Sequence, residues 1–332
     1  MKLARVVETT IICTALPTAL GFIAYYGFIT GYTGGIDFTE HGVREHYGTG
    51  VYRYRILGTH LLLMLHQVVR RIHGLPMNDK LAPLLGVSDP SMYHSFFLLN
   101  TFFFCLTMFA VHQTYRLPVF CLSEREKHAW MLLIACLIAL SQFVVVPYDT
   151  LSYFLLATSL YLSLRSPAAW VAPVLFVVVV LGALTRETCT LILSMYAVVC
   201  VMDSGRRRRR VGVLAVLVST FLLVYVCLRV VYGRSNAVGN GITISSLSHA
   251  KNIIGLGFAL CLVAIILFDA VGGGARAGWL FLLFSLPYLA SILLMGVQFE
   301  FRLWVPVLLV LILQTQARWP GPDTSTQAQV FV

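Results

Sequence analysis

Residues 56–69 read ILGTHLLLMLHQVV. Whether this stretch crosses a bilayer or lies along it sets the orientation of every segment on either side. It is apolar throughout except for His60, His66 and Gln67, and it is bracketed by Arg53 and Arg55 before it and by Arg70 and Arg71 after it. A helix of that length is about 21 Å long, short of a hydrocarbon core of about 30 Å. Short length and internal polar groups favour a helix lying in the membrane interface, expected over 56–70.

The rest of the composition places the chain in a membrane. It has 332 residues, 58% hydrophobic and 11% charged, against about 25% charged in a soluble domain. Mean hydropathy is +0.83. No soluble fold can bury that much apolar surface, so the class is a polytopic membrane protein. The net charge of +10 fits basic loops on the cytoplasmic side. The Arg206–Arg210 run reads as a topology signal and a contact for anionic lipid, and nucleic acid is not an expected partner. The eight cysteines are scattered, seven of them inside apolar runs, with no CxxC pair; they read as small core residues. Lys2 and Arg5 precede an apolar run from Thr9 to Thr30 that is long enough to span rather than to serve as a cleavable signal.

Apolar length gives ten helical segments, at 8–30, 92–113, 129–146, 149–165, 168–184, 187–203, 211–232, 251–270, 277–297 and 300–316. The expected fold is all-α: a transmembrane helical bundle of about ten spans plus the interfacial helix. It forms one domain over 1–316, with 31–91 as the first outer loop. Residues 317–332, with Pro, Ser and Thr and no periodicity, are expected to form a flexible tail. No internal repeat or soluble domain is visible. With the Arg206–Arg210 run inside, alternation puts both termini in the cytoplasm. It also brings 31–55, 147–149, 186–187 and 300–302 to the outer face. A spanning 56–69 would instead send Arg44, Arg53 and Arg55 to the cytoplasm, as the charge rule alone prefers; the short length and the histidines decide for the first arrangement.

The longest polar stretch is GYTGGIDFTEHGVREHYGTGVYRYR, residues 31–55. Asp37 and Glu40 are spaced i, i+3 and would align on one helical turn. They suit a general base, ligands for a hard divalent ion, or a solvated loop. Arg53 and Arg55 are two apart and would face the same way on an extended segment, to grip a phosphate or to snorkel toward lipid headgroups. Tyr148 and Asp149 open a helix after Pro147, so Asp149 either caps that helix or faces a site. Arg186-Glu187 and Glu300-Phe301-Arg302 sit at turns, either solvated or lining a cleft. Pro306 is expected to kink the helix that follows. His41, His46, His60 and His66 have no metal spacing, and zinc is not expected. The 233–248 loop is glycine- and serine-rich, a flap or a connector. No P-loop, GxSxG or dinucleotide fingerprint is present in a usable context.

Taken together, the acidic loop after the first span, the YRYRIL opening of an amphipathic helix, the Tyr-Asp helix start, the Leu-Thr-Arg-Glu-Thr motif and the late Glu-Phe-Arg-Leu-Trp-Val-Pro resemble predicted bacterial integral membrane proteins related to the GT-C glycosyltransferase superfamily. The resemblance covers about residues 8–316. It implies an inverting enzyme of the bacterial inner membrane that takes sugar from a polyprenyl-phosphate donor at the outer face. Asp37 would be the catalytic base, with Glu40 a second candidate. Arg53, Arg55, Arg186 and Arg302 would hold the donor phosphate, and Tyr148, Asp149, Glu187 and Glu300 would line the sugar or acceptor side. The superfamily's acidic pair is often Asp-x-Asp or two adjacent acids. Here it is Asp37-Phe-Thr-Glu40, which leaves a Mg or Mn cofactor and activity itself open. Membrane lipids are the expected partners.

Two further classes stand beside this one. A transporter or flippase would show broken helices in repeated halves with a midplane site; a non-catalytic scaffold would keep the fold without the acids. Sidedness is directly measurable. A cysteine at Thr39, in a background stripped of native cysteines, is expected to react with an impermeant thiol reagent in intact cells. Labelling only after permeabilisation would place 31–55 in the cytoplasm.

Overall fold

The run VPVLLVLILQT at 305–315 is apolar on every side, and a helix without a polar face must be covered all round. In the computed structural model of this chain, every residue of that helix is buried, and the other helices are arranged about it. The structure describes residues 2–27, 38–72, 89–165, 170–203, 205, 207–233, 249–295 and 300–319.

In chain order the helices are α1 (Lys2–Thr10, continued through Ile11–Ala15, Leu16–Phe22 and Ile23–Gly27), α2 (Glu40–Gly48), α3 (Ile56–Arg71), α4 (Pro90–Tyr115), α5 (Glu124–Ser141) and α6 (Asp149–Leu164). They are followed by α7 (Val171–Thr185), α8 (Leu191–Met202), α9 (Arg207–Tyr232), α10 (Ala250–Phe268), α11 (Gly274–Phe284), α12 (Leu286–Met295) and α13 (Val305–Thr315). Short 3₁₀ turns at Gly50–Tyr54, Glu187–Thr190 and Phe301–Leu303 lead into α3, α8 and α13. No strand occurs among the described residues. Each of the ten segments expected from apolar length contains a helix.

Among the described residues, four helices are long and apolar enough to cross a membrane, within Val6–Gly27, Pro90–Tyr115, Arg207–Tyr232 and Ala250–Phe268; a fifth span results if α11 and α12, bent by 58° at Ser285, count as one. The remaining segments are shorter, and α13 at eleven residues is only about 17 Å long. Ridges of large apolar side chains remain exposed on α9 (Leu223, Val230, Val231) and α10 (Ile254, Phe258, Phe268). Apolar surface so continuous belongs in lipid rather than water, and the protein is a helical, membrane-embedded one.

The bundle has two chemically distinct ends. At one, Glu8 pairs with His128 at 2.6 Å, the Arg318 amide donates to Val119 O at 2.8 Å and the Trp319 amide to Gly272 O at 3.1 Å. Arg210 lies there too, between Asp203 and the Ser163 carbonyl. Ala317 and Trp319, placed in the tail by composition, are buried against this end, while 320–332 lie outside the described residues. At the other end the 3₁₀ turn at 50–54 leads into α3, sets Tyr52 against Tyr148 at the start of α6 and reaches the Gly233 carbonyl at the end of α9.

α3 stays at that second end. Gly58 packs on Pro147 and Tyr148. His66 faces Asp89 at 3.7 Å and Ser91 at 3.5 Å, at the start of α4. Asn100 lies only ten residues into α4. There its amide donates to Tyr25 Oη and the Val146 carbonyl and accepts from Thr150 Oγ1. α3 therefore runs beside the N-terminal part of α4 and does not reach the end where His112 meets Thr9.

Pro306 does not kink α13. It occupies the first turn, where the missing N–H is one that a helix start leaves unbonded anyway.

The seat of α3 is tight enough to test. A Cβ on Gly58 would lie 2.7 Å from the Pro147 carbonyl oxygen and 3.0 Å from Tyr148 Cβ. Gly58→Ala is expected to cost about 1–3 kcal/mol, read as a lowered midpoint of thermal unfolding in detergent. Gly48→Ala, with nothing within 4 Å of its new methyl, serves as the control. An unchanged midpoint for Gly58→Ala would unseat α3 from this position.

Candidate functional site

Local sequence explains why several charged groups meet at the α6 end. Tyr148 takes the N-cap position of α6 without a side-chain cap bond, and Asp149 is the first helical residue. The N-capping role allowed for Asp149 is thus not the one it plays. Its carboxylate is 1% exposed and lies between two guanidinium groups. Arg186 Nη1 donates to Asp149 Oδ1 in a short ion pair, and Arg302 Nη1 lies 3.7 Å from Asp149 Oδ2. Burying a lone carboxylate is prohibitively costly, and the two guanidinium groups offset that cost.

Each arginine is delivered by a turn. Arg186 is the extended residue between α7 and the 187–190 turn. Its amide donates to the Gly182 carbonyl. Gly182 is required there because a Cβ would meet Cys189 Cβ at 2.9 Å. Arg302 sits in the 3₁₀ turn before α13. It donates through Nε to Glu300 Oε2 at 2.9 Å, and its backbone carbonyl accepts from Tyr153 Oη at 3.3 Å. Arg55 precedes α3 and makes a two-pronged contact with Glu187 Oε2, Nε and Nη2 each at 3.1 Å. Three arginines and three carboxylates thus form one balanced group drawn from four distant parts of the chain.

Aromatic rings carry the group. The Tyr148 ring lies between Arg55, 4.8 Å from its centroid, and Arg186 at 5.6 Å. Arg55 also covers Tyr52 at 5.2 Å. Tyr47 meets Tyr148 edge-on at 6.1 Å. Guanidinium–ring contacts of this kind contribute most where water is excluded. Tyr148 Oη, Asp149 Oδ2 and Arg302 Nη1 are buried with no hydrogen-bond partner among the described residues, so the group keeps unused polar capacity at its centre.

Arg53 does not join Arg55. The segment is a 3₁₀ turn rather than extended, and residues two apart on such a turn diverge. Arg53 Nη2 and Tyr54 Oη instead donate to the Gly233 carbonyl, at 2.7 and 2.6 Å. Gly233 follows α9 with φ of 71°, the left-handed ending that glycine supplies. Arg53 therefore serves the C-terminus of α9, where a cation is favoured. Glu40 also stands apart. α2 begins at Glu40 after the N-cap Thr39, and its carboxylate pairs with Arg44 at 2.7 Å on the exposed face. The hydrogen bond from Arg44 holds the Glu40 carboxyl below its ordinary value. Asp37 and the 234–248 loop lie outside the described residues.

A shallow recess opens beside the group, lined by Tyr54, Arg55, Arg186, Glu187, Tyr225 and Arg229, with Ala183, Phe221 and Leu228 as its apolar wall. Arg229 lies 3.9 Å over the Tyr54 ring and donates to Tyr225 Oη at 2.8 Å. Among the described residues neither Arg53 nor Arg229 pairs with a carboxylate, so the recess carries excess positive charge. Sequence reading missed Arg229, Tyr54 and Tyr225. The signal was present: Arg229 is a lone charge in an otherwise apolar run, and such residues mark functional or paired positions.

The donor set does not suit a divalent cation. Asp149, Glu187 and Glu300 are each engaged by arginine, and no group of three or more potential ligands is placed for a metal among the described residues. Comparison with family models, curated proteins and solved structures yields no match to this chain.

Removing the central carboxylate leaves two buried guanidinium groups facing each other. Asp149→Ala is expected to destabilise the protein by about 3–5 kcal/mol, whereas replacing Asp149 and Arg186 together by Leu and Met is expected to restore most of the loss. Thermal unfolding of the three proteins in one detergent measures this. Equal stability of Asp149→Ala and the parent would show that the pair is not formed.

Proposed function

We propose that this protein is a membrane glycosyltransferase that moves a sugar from a polyprenyl-phosphate donor to a lipid, glycan or protein acceptor at the outer face of a bacterial inner membrane. On this reading the ten apolar segments enclose the site in a GT-C-like bundle. α3 is the interfacial helix, and the ends bearing Glu8, Arg210 and Arg318 are cytoplasmic, along with both termini.

One observation carries the reading: Arg55, Arg186 and Arg229 line a recess whose inner wall is polar and aromatic and whose outer wall is the apolar flank of α7 and α9. A phosphate attached to a long apolar tail needs that combination. The guanidinium groups supply bidentate, charge-assisted hydrogen bonds. They also stabilise the charge that builds on the phosphate as it leaves. The apolar wall lets the tail stay in lipid. The excess charge of Arg53 and Arg229 is what an anionic donor would neutralise. Asp149, which Arg302 also approaches, holds Arg186 in place, and Arg53 fixes the end of α9 that carries Arg229. Asp37 is the proposed base for the acceptor hydroxyl. No step is routed through a metal, since the carboxylates of the charge group are committed to arginines.

A second reading rests on the 58° break between α11 and α12. Tyr288, three residues past the break, donates to Leu303 O at 3.0 Å and reaches Thr188 at 3.5 Å. A broken span touching a charged site is also how transporters are built, and lipid-phosphate movement in liposomes without sugar transfer would favour it.

The transferase reading is tested with two variants in one assay of sugar transfer from a polyprenyl-phosphate donor. Asp37→Asn is expected to lower kcat by at least about 100-fold, as loss of a general base does. Arg229→Ala is expected to raise KM for the donor about tenfold, in the range of one charged hydrogen-bond contact. Thermal unfolding of both variants beside the parent separates loss of function from loss of fold. Full transfer by Asp37→Asn would remove it as base, and an unchanged donor KM for Arg229→Ala would remove the recess as the phosphate site.

A further inference from the structure

A second, shallow recess lies at the opposite end of the bundle, where α6 ends and α7 and α9 begin. Arg165, Arg209, Arg210, Tyr196, Val171 and Val213 are among its lining residues. We infer that it binds the phosphate headgroup of an anionic membrane phospholipid, with an acyl chain laid along the outer ridge of α7.

Charge is the first ground. Arg210 is held by Asp203 at 2.8 Å and by the Ser163 carbonyl at 2.9 Å, and its Nε is buried without a hydrogen-bond partner among the described residues. Arg165 donates to Tyr161 Oη at 3.0 Å and lies 5.1 Å over the Trp170 ring. Arg209 is exposed. Neither Arg165 nor Arg209 pairs with a carboxylate among the described residues. Three guanidinium groups therefore share one acid. Helix ends add to this. α7 and α9 both begin at this recess, and their macrodipoles turn their positive ends here.

Shape selects a lipid over free phosphate. Val171 and Val213 form the inner wall, and Trp170, Val174 and Val177 follow at helical spacing as an exposed ridge on α7. The polar mouth thus continues into an apolar strip, with a tryptophan at the boundary where amphipathic rings favour the headgroup level. Because this recess lies at the far end from Arg55, Arg186 and Arg229, the inference is independent of the transferase reading.

Native mass spectrometry of the detergent-purified full chain with added phosphatidylglycerol or phosphatidylcholine tests it. The unmodified protein should retain phosphatidylglycerol in preference to phosphatidylcholine. The double variant R165A/R209A should retain about 25-fold less, since each arginine near a headgroup contributes roughly fivefold. R207A/R208A removes equal charge from the exposed helix start outside the recess, and it should retain within about twofold of the parent on the same scale. Thermal unfolding of both variants at the parental midpoint secures the comparison. The inference is overturned by equal retention in R165A/R209A, by an equal loss in R207A/R208A, by equal retention of phosphatidylcholine, or by displacement with inorganic phosphate alone.

Discussion

The carboxylate of Asp149, held dry between Arg186 and Arg302, is the constraint on which the second end of the bundle depends. A buried charge admits few arrangements of its neighbours. Here it fixes the first turn of α6, the turn between α7 and α8, and the turn before α13 relative to one another. Those turns are then close enough for Glu300 to take the other face of Arg302 and for Glu187 to reach Arg55. Apolar side chains of equal volume would hold the same helices together as well or better. What the charges add is registration, and they add it where polar atoms remain unused.

Registration has a chemical result. The six charged groups cancel among themselves, so the region costs little as a whole, yet Arg53 and Arg229 sit beside it without acids. Within the group, the Tyr148 ring is in contact with the guanidinium groups of both Arg55 and Arg186. A site preorganised in this way does not need to rearrange when charge develops on a bound group. The opposite end handles its basic residues differently. There the arginines crowd the starts of α7 and α9, where they add to the helix fields instead of being offset.

Much of this was legible in the chain because period and polarity act locally. Apolar length located the ten apolar helical segments though not the polar helix Glu40–Gly48, and the chance of four separated polar motifs meeting followed from alternation along the chain. The convergence of Asp149, Arg186, Glu187, Glu300 and Arg302 is the outcome. The misreadings came from backbone geometry that polarity does not encode. The 50–54 segment winds as a 3₁₀ turn, which turned Arg53 to Gly233 and left Arg55 alone at the site. Pro306 fell in a first turn, which depends on where α13 starts. Arg229 was hidden inside a strong apolar run, where a single charge barely alters the average. Apolar length also overstated crossing. Helices such as α8 and α13 are apolar because protein surrounds them, which composition cannot tell from lipid.

The complete burial of α13 bears on how the molecule is made. A segment whose every face touches protein has no lipid-facing side on which to wait in the bilayer. It is also the last described helix to be synthesised, and its slot is framed by α5, α6, α8, α10 and α11. The turn before α13 carries Arg302 to Asp149, so the seating of this helix both fills the centre of the bundle and completes the surroundings of its buried acid.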